Sequence, residues 1–418
     1  MADKFKSGIP RETREKSYLQ SFDRQKLDSS DPADFASKLL SFVRQNKVAA
    51  DALIAGNVQM LGFEALRERF GDQWDGIKDK VHLLTETTIK KHISSDDVYC
   101  LMNDEQFIVL FGRATKAAAG VTANLIGKEV NEKLSGAGAG GDAVSVKPMV
   151  FEVPRADPPP KTIEGLGATV EEAQRAAEKA EEARIEAARE RLGIRFWPVA
   201  NMRKRLVSCY QAEITAPEDV DLDVDVDPGT GAAAATLDRF LLQKAGMALT
   251  EATSQRMKAF LIVPVHFDTL AIKSFRARYL EICKILPQVA DRKLVLLING
   301  LEDGVPQARL HGIFTYLSPY VSGFIGQFGR EFRRADKLGG LKMMAVAMDG
   351  TGMDHPGPPD VAAMKDFVVG NKSTHIRRYF INAGTFDCAT MARRARFDYL
   401  QGIGVAPAMP MHGKVFNI

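Results

Sequence analysis

Asp398-Tyr399-Leu400-Gln401-Gly402, followed by Val405-Ala406-Pro407 and Met409-Pro410, is the stretch on which the reading of the fold turns. Upstream of it the chain alternates short apolar runs with helical segments. The candidate strands are Phe196–Val199, Phe260–Val265, Leu294–Ile298, Tyr320–Ile325, Met343–Ala347 and Arg378–Asn382. Helices fall between most of them, as at Leu237–Glu251 and Thr269–Leu286. Short apolar runs separated by helices imply parallel βα units, and a series of this length predicts a (β/α) barrel over residues 193–418.

Farther upstream the composition changes. Thr169 stands three residues before Glu172, the spacing of a capping box, and the Ala-, Glu- and Arg-rich run to Leu192 stops at Gly193. A connecting helix is therefore expected over 169–192. Ala173, Ala176, Ala180, Ala183 and Ala187 recur every three or four residues. That pattern fits a dimerising alanine seam or a solvated spacer helix laced with Glu/Arg pairs. Ser135–Gly141 is glycine-rich and four prolines lie between Pro154 and Pro160, so residues 135–168 read as linker. Within it, Met149-Val150-Phe151 is a short apolar run suited to docking on a neighbour.

Residues 31–134 read as a mixed α/β domain. Phe35, Leu39, Phe42 and Val43 recur at helical spacing, and an amphipathic helix is expected from about Trp74 to His92. Gln106–Phe111 reads as a strand and Ala117–Leu134 as a helix. Residues 1–30 are polar and are expected to be a mobile lead-in.

Composition narrows the function classes. The chain has 418 residues, 45% hydrophobic and 26% charged, which fits a folded protein of two unequal domains. No stretch approaches the roughly 18 uninterrupted apolar residues of a membrane span. Met1–Lys6 carries charge where a signal peptide has its apolar segment, so a cytoplasmic location is expected. A net charge of +3 gives no electrostatic case for nucleic acid. Cys100, Cys209, Cys283 and Cys388 lie far apart and read as reduced, mostly buried thiols. No histidine pair has metal-ligand spacing, so neither metal nor cofactor is expected.

With these residues in view, the ending Asp398–Gly402 resembles the end of the EAL domain, the barrel that hydrolyses cyclic di-GMP. Phe196-Trp197-Pro198-Val199 stands where that family has Y-Q-P-I. The resemblance covers about residues 194–418. The turn Asn103-Asp104-Glu105-Gln106-Phe107 is similar to the GGDEF hairpin of diguanylate cyclases, over about residues 50–135. The fold implied is α/β: a partial GGDEF-like sandwich, then an EAL-like barrel, from a bacterial cyclic di-GMP signalling family.

The resemblance also says which residues the chemistry would use. Cyclase glycines let the backbone approach GTP phosphates, and here Asn103 and Asp104 occupy those positions, with Glu105 and Gln106 after them. Gln59-Met60-Leu61-Gly62-Phe63-Glu64 lacks the family's upstream metal-binding aspartate, and Ser94-Ser95-Asp96-Asp97 lacks the arginine of the inhibitory site. In the barrel, Gln211-Ala212-Glu213 falls at E-A-L and Thr215 at a phosphate-binding arginine. Pro264 replaces the second-strand asparagine, Leu297 the next glutamate, and Gly326-Gln327 the paired aspartates. Met344 is the expected occupant of the catalytic-lysine position, Ala383 stands at the first glutamate of E-G-V-E, and Gln401 alone is retained.

Two-metal hydrolysis needs converging carboxylates, and an amide brings no negative charge. The expectation is therefore a non-enzymatic scaffold or adaptor with an unidentified protein partner, with homodimerisation through the barrel or alanine helix also open. The alternatives are a cyclic di-GMP receptor without turnover, with Gln401, Arg330 and Arg333 as candidate ligand contacts, and a divergent phosphodiesterase. Arg330, Arg333, Arg334 and Lys337 otherwise read as a solvated helix face, as do Arg377-Arg378 and Arg393-Arg394-Arg396. The alternating aspartates Asp219 to Asp227 read as a charged edge strand or acidic loop.

Overall fold

The computed structural model describes residues 25–27, 32–45, 52–61, 67, 71–136, 145–154, 159–220, 222, 231–254, 259–301, 307–338, 341–373, 375–411 and 416–417. They form two compact units, each with its own sheet.

The first unit begins with α1 (Pro32–Gln45) and β1 (Ala52–Leu61). Then come α2 (Trp74–His92), β2 (Val98–Asn103), β3 (Gln106–Phe111), α3 (Lys116–Gly136) and β4 (Ser145–Pro154). Helix α2 has Asp75 in its first turn and Lys90, Lys91 and His92 in its last, matching the helix dipole. Trp74, Val81, Thr85, Thr88 and Ile89 form its buried stripe. The sheet order is β2-β3-β1-β4, and β3 pairs antiparallel with both β1 and β2. Alternate residues Val98 and Cys100, Ile108 and Leu110, and Phe151 and Val153 turn to one face. There they pack with Phe35, Leu39 and Phe42 of α1, and with Leu166, Val170 and Ala173 of α4 (Ile163–Ala188).

Three expectations change here. Helix α4 starts six residues before Thr169: Thr162 Oγ1 accepts from Gly165 N at 3.2 Å, while Thr169 lies inside the helix and donates to Gly165 O. The expected linker contains a full strand, β4, whose Met149, Val150 and Phe151 are buried. Most of the expected lead-in lies outside the described residues. Gln25–Leu27, however, is tied to β2 by Leu27 N to Tyr99 O and Tyr99 N to Gln25 O, each 2.9 Å. In the alanine series, Ala173 is buried, whereas Ala176, Ala180, Ala183 and Ala187 are exposed.

The second unit's strands are β5 (Gly193–Asn201), β6 (Leu206–Thr215) and, after α5 (Ala232–Ser254), β7 (Phe260–His266). Helices α6 (Phe267–Ala271), α7 (Lys273–Lys284) and α8 (Ala290–Lys293) lead to β8 (Leu294–Leu301). Helix α9 (Gln307–Leu317), β9 (Gly323–Phe328), β10 (Met343–Asp349) and α10 (Pro358–Gly370) follow. Strand β11 (Arg377–Ile381), α11 (Phe386–Arg394), β12 (Tyr399–Leu400) and the short β13 (Phe416–Asn417) complete it. The order β6-β5-β12-β11-β10-β9-β8-β7 returns to β6, closing a barrel of the expected type. Strand β5 is antiparallel to both neighbours, and the other barrel pairings are parallel.

The barrel has two apolar layers. Leu261 and Val263, Leu294 and Leu296, and Phe324 face outward under the helices. Val199, Ile262, Val295, Leu297, Ile325, Ala345, Ala347, Tyr379 and Ile381 form a separate cluster, the filling of the interior. At the start of β12 the Asp398 carboxylate is 3% exposed and pairs with Arg378 at 2.9 Å and Arg203 at 2.8 Å. It also accepts Arg378 N at 3.0 Å. Burial holds the Arg378 guanidinium below its usual range, with Asp398 opposing and the Arg203 and Arg377 charges adding to the shift. Arg330 to Lys337 is not a helix face but a turn and loop ending in the 3₁₀ turn Ala335–Leu338. Of the aspartate run, Asp219 pairs with Arg191 at 2.5 Å, and the four later aspartates lie outside the described residues.

Two stability predictions follow from these charges. Asp398→Ala leaves Arg378 buried without its partner, and we expect a loss of about 3–5 kcal/mol in the barrel's urea transition. A loss below about 1 kcal/mol would show that Arg378 reaches solvent unaided. In the first unit, burial works against the Glu86 charge. Hydrogen bonds from Lys26 (2.8 Å) and Lys90 (2.9 Å) outweigh it and hold the carboxyl below its ordinary value. A depressed carboxyl stabilises the fold fully above its unfolded pKa, and that stabilisation fades as pH falls from there through the folded value. Glu86→Gln should therefore lower the melting temperature at pH 7 and converge with wild type in acid; an equal deficit at both pH values would refute this.

Candidate functional site

Each unit carries one site to which the sequence pointed. In the first unit, β2 and β3 are joined by the tight turn Asp104-Glu105, with Asn103 opposite Gln106. Asn103 Oδ1 accepts from Glu105 N at 2.9 Å, an Asx turn in which the side chain replaces a backbone bond. Asn103 Nδ2 donates to Gln106 Oε1 at 3.0 Å. Asp104 pairs with Lys78 at 3.4 Å, and Asp104 O lies 2.8 Å from His82 Nε2. The hairpin is thus braced by its own side chains. Asp97 is buried and accepts from Ser94 N, Ser94 Oγ and Gly112 N, all at 2.8 Å, which fixes the turn before β2. Gln59 is in β1, and Gly62–Glu64 lie outside the described residues.

In the second unit the site is the barrel mouth, where the parallel strands end. Strand parity assigns its residues: Gln211 shares a face with Cys209, Pro264 with Ile262, Gln327 with Ile325 and Asp349 with Ala347. All four therefore sit on the interior side. Tyr379 OH donates to Gln211 Oε1 at 2.7 Å, and both residues are buried. Gln401 is 2% exposed, and its Oε1 accepts from Asn382 N at 2.9 Å. Gly402, at φ 136°, lets the chain turn against Ala383: a Cβ there would lie 2.4 Å from Ala383 N.

The sequence reading missed two carboxylates, and the first lies on the interior side of the mouth. Asp349 Oδ1 accepts from Thr351 N (2.8 Å), Thr351 Oγ1 (2.7 Å) and Asn382 Nδ2 (3.1 Å). Its Oδ2 accepts from Gln327 Nε2 at 3.2 Å. Each of these donors is neutral. The available signal was Met348-Asp349, an acid ending an apolar strand. A second acid, Asp238 of α5, is 4% exposed and lies 2.9 Å from His266 N, 2.9 Å from His266 Nδ1 and 2.5 Å from Thr269 Oγ1.

Other expected residues lie elsewhere. Glu213 is held by Arg195 at 2.8 Å and by the Trp197 indole N–H. Thr215 closes β6 opposite Gly193, and Leu297 is interior filling. Gly326 faces outward, where a Cβ would meet Phe328 and Leu301. Ala383 is buried in the outer layer and donates its N–H to Gln401 O at 2.9 Å. Met344 is displaced: a bulge between Met343 and Ala345 makes it the extra residue at the far end of β10, and the inward residue near the mouth is Ala347. Arg330 stands at the rim, 3.3 Å from Asp360 and 3.3 Å from Thr351 O. Arg333 turns away, donating to Arg330 O and Phe332 O with its stem against Gly370. The structure brings Gln211, Gln327 and Gln401 to one barrel end and does not bring Arg333 to them.

The Tyr379–Gln211 bond is testable by itself. Tyr379→Phe leaves a buried amide oxygen without its donor and should cost about 1–3 kcal/mol in urea denaturation. A change under about 0.5 kcal/mol would mean that another donor takes over.

No family model matches the chain, and no curated protein does. Solved structures do. The Vibrio cholerae LapD S helix–GGDEF–EAL protein, in a form bound to c-di-GMP, is 12% identical, with a TM-score of 0.52 over 94% of this chain and 98% of that one. The Xanthomonas citri FimX EAL domain in complex with c-diGMP is 15% identical, with a TM-score of 0.44 over 57% of this chain and 97% of that one. Among the described residues no helix is long and apolar enough to cross a membrane. Over nearly its whole length, then, this chain folds like a GGDEF–EAL tandem: a GGDEF-like sheet with helices, followed by an EAL-like barrel.

Proposed function

We propose that this protein is a non-catalytic signalling scaffold that works through protein contacts and does not turn over cyclic di-GMP. The observation that carries the reading is Gln211. The residue where the EAL resemblance implies the first cation ligand is a buried amide, and its oxygen is engaged by Tyr379. Around it the interior side of the mouth holds Pro264, Leu297, Ala347 and the amides of Gln327 and Gln401. Among the described residues of the interior side Asp349 brings one negative charge, and Glu213 is committed to Arg195 and Trp197. A pair of magnesium ions calls for several converging carboxylates at octahedral geometry, and this donor set does not fit them. In the first unit, side chains at Asn103 and Asp104 fill the turn where the cyclase resemblance implies glycines for close phosphate approach.

A receptor is the second reading, favoured by the fold shared with a Vibrio cholerae protein bound to c-di-GMP. One experiment separates the readings: full-length protein is incubated with cyclic di-GMP and magnesium or manganese, and a parallel sample is titrated calorimetrically. The scaffold reading expects no linear dinucleotide and no heat of binding. Saturable binding at low micromolar concentration without product would establish a receptor. Linear product that is lost in Asp349→Asn would establish a hydrolase.

A further inference from the structure

The end of the barrel opposite the mouth is charged in a way the net charge conceals. Three neighbouring strand ends meet there, the exit of β5 and the entries of β12 and β11, because Asn201 of β5 pairs with Tyr399 of β12, which pairs with Tyr379 of β11. The β5–β6 turn supplies Arg203, Lys204 and Arg205, all exposed. The end of α11 and the loop after it supply Arg393, Arg394 and Arg396, also exposed. The entry to β11 adds Lys372 and Arg377. Backbone bonds hold these turns together: Met202 N donates to Asp398 O and Asp398 N to Arg378 O, each 2.9 Å. Among the described residues of the three turns the one carboxylate is Asp398, buried and already shared by Arg378 and Arg203.

The turns that carry these charges are tight. Among the described residues, the non-glycine residues with positive φ are Arg205 (51°), Asn382 (57°) and Arg396 (72°). The left-handed region is ordinarily left to glycine or asparagine, since an L side chain is strained there. Two arginines adopt it, and both lie on this floor. Arg396 directly follows the end of α11, where Phe397 N donates to Ala392 O at 3.3 Å, and Arg205 lies in the β5–β6 hairpin turn, so both conformations belong to the turns that present the charges.

We propose that the barrel floor is a docking surface for the phosphate backbone of a nucleic acid. The proposal is independent of the scaffold reading, because it concerns the opposite end of the barrel. Guanidinium groups grip phosphodiester oxygens through paired N–H bonds, which an ammonium cannot do, and this surface is mostly arginine. A bilayer-seeking surface sets apolar side chains among its cations. The exposed large hydrophobic residues of the described barrel, such as Phe386 and Ile403, lie outside these three turns.

The test is fluorescence anisotropy of the full-length protein with a labelled 20-nucleotide RNA and a labelled 20-base-pair DNA, at 50 and 200 mM salt. Neutralising about four phosphates should weaken binding on the order of a hundredfold between those salt concentrations. Arg205→Gly with Arg396→Gly removes two charges while giving the backbone the residue its φ prefers, so folding is retained. This pair, and separately Arg393→Ala with Arg394→Ala, should each weaken binding about tenfold at 50 mM salt. Lys80→Ala with Lys128→Ala removes equal charge from exposed helix positions of the first unit and should leave it unchanged. Absence of binding at 50 mM salt by folded protein would overturn the proposal, and so would arginine variants that bind like wild type. Binding to vesicles rich in phosphatidylserine or to polyglutamate, with none to either nucleic acid, would reassign the floor to a lipid or an acidic protein.

Discussion

Closing eight strands into a cylinder leaves no free edge, and in this protein closure depends on β5, which runs antiparallel between β6 and β12. On one side β5 has a long hairpin partner, paired from Gly193–Thr215 to Asn201–Leu206. On the other side β12 offers two paired residues, Tyr399 and Leu400. That short seam is reinforced by groups outside the ladder, above all Asp398, which binds the β11 backbone and two guanidinium groups. A buried ion pair is a weak source of net stability, but it fixes position well once both partners are desolvated. The register of β11, β12 and β5, and with it the placing of Tyr379 and Gln401, follows from this seam.

The two ends of the barrel differ in kind. Among the described residues, the interior side of the mouth is built from amides, an alanine, a proline and one carboxylate with neutral donors around it. The floor carries exposed arginine and lysine side chains on tight turns, with Arg203 paired to the buried Asp398. A fold sets where side chains converge and leaves their chemistry open. Here the likeness in fold reaches almost the whole chain, and the chemistry at the strand ends is set by the residues described above.

Much of this organisation was legible in the sequence, for physical reasons. Helix Trp74–His92 and strand Gln106–Phe111 agree with the structure at both ends, since their periodicity and flanking charges leave little choice. The barrel strands were legible as apolar runs because they are buried on both faces. The failures have equally definite causes. Thr169 and Glu172 have capping-box spacing, yet Thr162 takes the cap and the helix runs through both. Strand β4 was hidden by Lys147 and Pro148, which interrupt its apolar residues, so only Met149–Phe151 stood out. The bulge at Met344 shifts strand parity by one, and no one-dimensional pattern reveals that. Asp349 gains its setting from Gln327, Thr351 and Asn382, which come together only after the barrel closes.

Strand β4 also matters to anyone who divides the protein. The glycine-rich run before it looks like a natural place to cut, and a fragment ending there would keep every segment that resembles the GGDEF family. It would nevertheless lose the edge strand beside β1 and the surface against which α3 rests, where Gly127 lies so close to Pro148 that a Cβ would be 2.8 Å from its ring. The row of β1 amides and carbonyls thus uncovered is a template for pairing with other chains. Such a fragment would be prone to aggregate, so a safe boundary for the first unit lies beyond Ala177, past the α4 residues that pack into its core.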